Sequence, residues 1–256
     1  MEPVSKQNGN ADYGNWVARK FILIPALITI IFAGLSCLSL FFLIGALIFI
    51  IPTVYFIYAY FQFSPAGGNL QSKIRDLIFN QIVWDGNGSL LDIGCGNGAM
   101  AIEAAKKYAE ARIVGIDYWG GKWEYSKESC EKNAHIAGVA ERTSFQKASA
   151  SKLPFADEYF DAVVSNFVFH EVQDVMDKRA VIKEALRVLK KDGVFVFQDL
   201  FLWKRIYGET ADLLATIQSW GVQEVKLIDT SRQSFIPGAM KLPFMVGQIG
   251  IIHGRK

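Results

Sequence analysis

Charge is missing from one long part of this chain. Residues 21–63 are 43 consecutive positions with no Asp, Glu, Lys, Arg or His. A run of that length excludes a secretory leader, whose apolar region covers about 7–15 residues. It also excludes ordinary core helices, because a single domain has nowhere to bury so much apolar surface. As one helix it would be ~65 Å long at about 1.5 Å per residue, roughly twice the ~30 Å hydrocarbon layer of a bilayer. The run therefore reads as a membrane hairpin of two helices, 17–35 and 40–60, turning near Gly34 to Ser39. The turn is itself nearly apolar, so both two full crossings and a re-entrant dip into one leaflet fit. Arg19 and Lys20 before the run, with Lys73 and Arg75 after it, predict cytoplasmic flanks on both sides. Trp16, Tyr55, Tyr58 and Tyr60 suit either an interfacial aromatic belt or packing between the helices.

Other scarcities exclude other classes. The three cysteines, Cys37, Cys95 and Cys130, are an odd number with no C-x-x-C spacing. That argues against a disulfide framework or a thiolate metal site and for a reducing compartment. The formal net charge is only +2, from 27 basic and 25 acidic residues that are well mixed, so no nucleic-acid footprint is expected. No internal repeat or low-complexity tract is present.

What remains alternates. Ser64-Pro65-Ala66-Gly67-Gly68 is a breaker cluster, too short for a flexible tether, which predicts a second domain close to the lipid surface. A helix follows over 70–83, with apolar residues at Leu70, Ile74, Leu77, Ile78 and Ile82. From Ser89 onward strands are predicted at 89–93, 112–116, 143–147, 160–165, 194–199, 223–228 and 244–253. Helices are predicted at 98–109, 123–137, 175–190 and 207–219. Such alternation predicts a mostly parallel sheet covered on both faces. The division expected is a tail (1–20), the hairpin (21–63), a linker with a helix (64–88) and the α/β domain (89–256).

The most informative stretch is Leu90-Leu91-Asp92-Ile93-Gly94-Cys95-Gly96-Asn97-Gly98-Ala99-Met100. An apolar strand enters a glycine loop and a helix leaves it, so the backbone can turn sharply against a ligand beside unpaired helix N–H groups. Gly94-x-Gly96-x-x-Ala99 fits a dinucleotide fingerprint, although a lone match is weak. Arg112-Ile113-Val114-Gly115-Ile116-Asp117 then ends in a carboxylate about 20 residues past the loop, where a ribose diol would be held. The segment from Asp92 to Gly98 is equally the acidic-x-Gly-x-Gly-x-Gly pattern of class I S-adenosylmethionine (SAM) methyltransferases. Leu153-Pro154-Phe155, Phe160-Asp161-Ala162-Val163-Val164 and Glu184-Ala185-Leu186-Arg187-Val188-Leu189-Lys190-Lys191-Asp192-Gly193 resemble three further blocks of that family, in order and at the family's spacing.

The resemblance covers about 88–199 and implies a Rossmann-like seven-stranded sheet whose last strand is antiparallel. It implies SAM as cofactor, in a site made by Asp92, Gly94, Cys95, Gly96, Asn97, Gly98, Asp117, Tyr118, Ser149, Ala150 and Asn166. The glycines would cradle the amino-acid end, Asp117 would accept both ribose hydroxyls, and Tyr118 would lie against adenine. The helix over 70–83 would cover the cofactor. Two positions depart from the pattern: Asp192 replaces a Gly or Pro, and Ser149 replaces an Asp that accepts from the adenine amino group. A neutral serine makes the weaker contact. His170, after the fourth strand, is either a general base or the residue that orders its loop. Trp119-Gly120-Gly121-Lys122-Trp123 reads as a mobile lid, a membrane-facing loop or the packed start of a helix. Phe201-Leu202-Trp203-Lys204-Arg205 suits an interfacial contact or a core-facing loop. The expected activity is methyl transfer to a small, apolar or lipid-like acceptor, made in the cytoplasm from the bilayer surface. A protein methyltransferase and a silent SAM-binding scaffold are the alternatives.

Overall fold

The structure is a computed structural model that describes residues 10–120 and 124–256. Residues Gly14–Ile74 form one compact unit and the rest of the described chain forms another. Of the aromatic–glycine loop singled out above, Gly121, Lys122 and Trp123 lie outside the described residues.

In the first unit α1 (Lys20–Leu35) and α2 (Phe42–Phe63) pack against each other. Phe32 lies 6.2 Å from the Phe42 ring and 5.9 Å from Phe49, while Phe21 stacks on Phe56 at 5.5 Å. Gly45 lets the helices approach, since a Cβ there would fall 2.5 Å from the Phe32 ring. Both helices are apolar all round: Leu23, Leu27, Ile30 and Ile31 of α1 and Ile44, Leu47, Ile48 and Ile51 of α2 are exposed. Such a pattern belongs to helices buried in protein or lipid. The first helix starts three residues later than expected. Asn15 turns back to accept from the Val17 N–H at 2.9 Å and donates to the Tyr60 carbonyl at 3.0 Å, while the Trp16 N–H donates to Gln71 at 3.2 Å. These bonds hold 15–17 off the helical path. At 16 residues α1 is ~24 Å long and at 22 residues α2 is ~33 Å. Among the described residues only α2 is long and apolar enough to cross a membrane. A first helix of full crossing length is thus not found.

The helix α3 (Leu70–Phe79) leads into seven strands, β1 (Ser89–Ile93), β2 (Arg112–Asp117), β3 (Thr143–Lys147), β4 (Phe160–Asn166), β5 (Leu189–Asp199), β6 (Glu224–Asp229) and β7 (Gly250–Arg255). They form one sheet in the order β3-β2-β1-β4-β5-β7-β6. Only β7 runs antiparallel to its neighbours, as expected. Leu91 pairs with Val114 on one side and Val163 on the other. The order therefore reverses between β1 and β4, and open α/β sheets bind ligands at the carboxyl ends flanking such a point. The helices α4 (Ala99–Lys107), α5 (Lys127–Ile136), α6 (Arg179–Arg187), α7 (Lys204–Tyr207) and α8 (Thr210–Ser219) complete the domain. Leu90, Leu91, Phe160, Phe195 and Phe197 are fully buried, each contributing roughly 1.5–3 kcal/mol.

The boundaries differ where turn chemistry was misread. The fifth strand begins at Leu189, not 194, because Asp192 takes the left-handed conformation (φ 63°) within it. This is the position where a Gly or Pro was expected. The sixth helix accordingly ends at Arg187. The fifth helix starts at Lys127, where the Ser126 hydroxyl accepts from the Ser129 N–H at 3.1 Å and caps it. Residues 243–248 are turns, so β7 starts at Gly250 and is shorter than predicted.

Candidate active site

The glycine loop is fixed at both ends. The N–H groups of Gly94 and Cys95 both donate to the Ile116 carbonyl, at 2.7 and 2.9 Å. Asp92, 1% exposed, accepts from the Ala101 N–H at 3.0 Å, so a strand carboxyl caps the first turn of α4. Burial pushes the Asp92 carboxyl up to about 7, against the pull of the Ala101 N–H. Gly94, Gly96 and Gly98 have φ of 73°, 57° and 82°, the left-handed region that a Cβ disfavours. At Gly94 space is closed as well, because a Cβ would fall 2.0 Å from Val168.

The side chains in the loop are structural. Cys95 and Cys130 are buried, the Cys130 thiol donates to the Gly96 carbonyl at 3.1 Å, and burial pushes the Cys95 thiol well up. Asn97 accepts from the Ser126 N–H at 3.1 Å. Asn133 donates to the Asn97 carbonyl at 3.0 Å and clamps Asp12 by bonds of 2.8 and 3.0 Å. Part of the segment read as a tail is thereby held on this unit.

At the end of β2, Asp117 accepts from the Gly96 N–H at 2.9 Å and the Trp119 N–H at 2.8 Å. Burial raises its carboxyl, and those two N–H groups oppose the shift. Trp119, at φ 45°, folds back so that its indole N–H donates to the Gly96 carbonyl at 2.9 Å. Tyr118 instead stands 64% exposed with the Lys147 ammonium 5.1 Å from its ring centre. Ala150 is buried. Beside it, Ser149 and Ser151 both donate to Asp174, the former at 2.8 Å. A carboxylate is therefore present at the position where the sequence showed only serine, brought from a loop 25 residues further on. The two hydroxyls hold the Asp174 carboxyl below its ordinary value.

At the ends of β4 and β5, Asn166 points a buried Oδ1 that has no hydrogen-bond partner among the described residues. His170 sits on a single helical turn, Phe169–Glu171, with its Nδ1 2.7 Å from Asp199. Sequence reading missed Asp199 and took Arg75 for an exposed flanking charge, whereas its side chain is buried on the apolar face of α3. Arg75, 8% exposed, has Glu103 3.9 Å from its Nε. It acts electrostatically on Asp92 and on Tyr125, whose ring covers Gly96. The signal available was one arginine on the apolar side of the α3 pattern.

A family described as Methyltransferase domain matches residues 91–197. The ubiquinone/menaquinone biosynthesis C-methyltransferase UbiE of Geotalea uraniireducens is 33% identical over 144 residues, 54% of this chain and 58% of that protein. The chain thus spans little more than half the length of that curated relative. Among solved structures, the [4+2]-cyclase SpnF superposes with TM-score 0.55 at 22% identity, covering 72% of this chain and 80% of that one. The geranyl diphosphate C-methyltransferase of Streptomyces coelicolor, solved with S-adenosyl-L-homocysteine, superposes with TM-score 0.54 at 16% identity, covering 73% and 80%. The α/β unit shares the fold of these structures, and its residues 91–197 match the Methyltransferase domain family.

Proposed function

We propose that this protein is a SAM-dependent methyltransferase that acts on a small, apolar or lipid-like acceptor and is anchored by its helical hairpin. The observation that carries the cofactor reading is the pinned loop at 94–98 with Asp117 bonded to its centre. The residues fit the group. The three left-handed glycines leave a bare cradle, and Asn166 Oδ1 is an orphan acceptor suited to an ammonium. The buried Arg75 guanidinium suits a carboxylate. Asp117 keeps acceptor capacity for ribose hydroxyls, since an ionised carboxylate has about four lone-pair sites. Cys95, Asn97 and Asp92 would shape the cradle. Tyr118, Ala150 and the Ser149–Asp174 pair would border the adenine. When bound, SAM supplies an electrophilic methyl on a sulfonium.

The acceptor class rests on the hairpin and on similarity to a ubiquinone/menaquinone biosynthesis C-methyltransferase. An anchored enzyme meets membrane-dissolved acceptors at high local concentration. The positive residues Arg19, Lys20 and Lys73 beside the hairpin support a cytoplasmic side for both of its ends and for the methyltransferase domain. The division offered is tail 1–20, hairpin 21–63, linker and capping helix 64–88, and catalytic domain 89–256.

The test incubates detergent-solubilised full chain with methyl-labelled SAM and a total membrane-lipid extract, with Asp117→Ala as control. Label in the organic phase that depends on Asp117 supports the reading. Saturable SAM binding without lipid label turns the search to protein or soluble acceptors, and no binding at all favours a silent scaffold. Asp117→Ala is expected to weaken SAM binding at least ~10-fold, because hydrogen bonds to a charged group are worth about 1.5–3 kcal/mol.

A further inference from the structure

The chain between β6 and β7, residues 230–249, holds no acidic residue. Asp229 and Gly250, which bound it, pair with each other, and Gly250 also pairs with Asp199 at the carboxyl end of β5. The segment therefore emerges at the end of the sheet where β1 delivers the glycine loop. Within it Met240 and Val246 are buried, whereas Lys241, Leu242, Pro243 and Phe244 are consecutive and exposed, Phe244 at 62%. The backbone ties this tip shut. The Leu242 carbonyl accepts from the Met245 N–H at 2.9 Å and the Gly247 N–H at 3.1 Å, and the Met240 carbonyl accepts from the Val246 N–H at 3.1 Å. Gly247 permits the closure, since a Cβ there would fall 2.1 Å from the Lys241 carbonyl oxygen. Apolar side chains held on a closed turn lose little freedom on binding.

The segment after β5 lies against this turn, because the Leu202 N–H donates to the Gln248 carbonyl at 3.1 Å. There Phe201 is buried, while Lys204 and Arg205 are exposed. Lys204 is paired with Glu209 at 2.9 Å and Arg232 with Asp229 at 2.8 Å, so Arg205 and Lys241 give the two segments surplus positive charge. We propose that the Lys241–Phe244 tip, with Lys204 and Arg205 beside it, docks the α/β unit on an anionic lipid surface. The inference rests on the membrane-anchored reading and deepens it. Leu242 and Phe244 would enter the acyl boundary while the basic side chains stay among the headgroups. Two exposed apolar side chains fall far short of the ~20–30 residues a side that a stable protein interface uses. A weak contact suffices once an anchor supplies the local concentration. Twelve residues lead from Phe63 of α2 to Arg75, the start of the α/β unit, and they span at most about 40 Å when fully extended. An anchored chain thus keeps the α/β unit within reach of the headgroups.

The test reconstitutes the full chain in vesicles of equal parts phosphatidylcholine and phosphatidylglycerol, and in phosphatidylcholine alone. A nitroxide is attached at Leu242→Cys, with Pro243→Cys as a second site, in a Cys37→Ser chain whose other two cysteines are buried. Lys191→Cys, exposed near the opposite end of β5, is the aqueous reference. In the anionic vesicles the tip label is expected to be relaxed by oxygen, relative to a water-soluble nickel chelate, several-fold more than the reference. Lys204→Glu with Arg205→Glu should lower that ratio, as should removal of phosphatidylglycerol, since each basic side chain near an anionic surface counts for about a factor of 5 in residence. Lipid contact that ignores both changes overturns the anionic surface as partner. A tip label as aqueous as the reference, in a chain that resists alkaline washing, overturns the docking and leaves the anchor standing. Spin–spin broadening at the tip, relieved by diluting with unlabelled chain, overturns it in favour of a second copy. A chain released by alkaline washing brings down the anchored reading and the docking with it.

Discussion

Asp92 is the residue whose burial has the clearest measurable consequence. Folded, its carboxyl titrates near 7, above the ordinary carboxylate value of about 3.9. Folding therefore favours the protonated form. The stability this gives is full below about pH 4 and is lost as pH rises toward 7. Asp92→Asn keeps an acceptor for the Ala101 N–H and removes the titration. The variant's melting temperature, measured from pH 5 to pH 8, is expected to fall less than that of the wild type, with a gap of up to a few kcal/mol at pH 8. Curves that stay parallel would show Asp92 ionising normally. At this scale the sequence revealed the residues whose chemistry is local: the glycines and Asp117 announce themselves by spacing within one strand–loop–helix unit. Asp199, Asp174 and Arg75 were not legible. Their partners lie 29, 25 and 28 residues away along the chain, and only the crossovers of the sheet bring them together.

Among elements, the junction between the glycine loop and the turn after β4 is the tightest. Gly94→Ala would combine left-handed backbone strain of about 1 kcal/mol with a Cβ driven into Val168. Overpacking of that kind costs typically 1–3 kcal/mol. Its melting temperature should drop, and Val168→Ala added to it should recover the steric part but not the backbone part. Full recovery would mean that the φ of 73° is incidental. The strands were largely readable, since β1, β2, β3 and β4 are short apolar or β-branched runs bounded by turn residues. The errors fell at the start of β5, where Lys190 to Gly193 resembles a turn yet continues the strand, and before β7, where Phe244 to Ile249 is apolar without being extended. Apolar composition identified these segments, and backbone conformation at one or two residues decided their ends.

For the molecule as a whole, the uncharged run announced a helical hairpin, and two mutually packed apolar helices are present. The sequence did not reveal the bonds of Asn15 and Trp16 that shorten the first. If α2 crosses the bilayer, Ile51→Arg places a charge near its middle, at an insertion cost of about 2.5–3.5 kcal/mol. Wild-type protein should stay with the membrane pellet after alkaline washing, and the variant should be partly released. Retention unchanged by the charge would argue for surface attachment instead.

The clamp of Asn133 on Asp12 joins residues that leave the ribosome far apart in time. The partner is made 121 positions after Asp12, a delay of ~6–24 s at about 5–20 residues per second. Both helices of the hairpin are complete well before then. The order of biosynthesis therefore lets the greasy pair settle while Asp12 still lacks its partner, and the α/β fold takes hold of that residue only later.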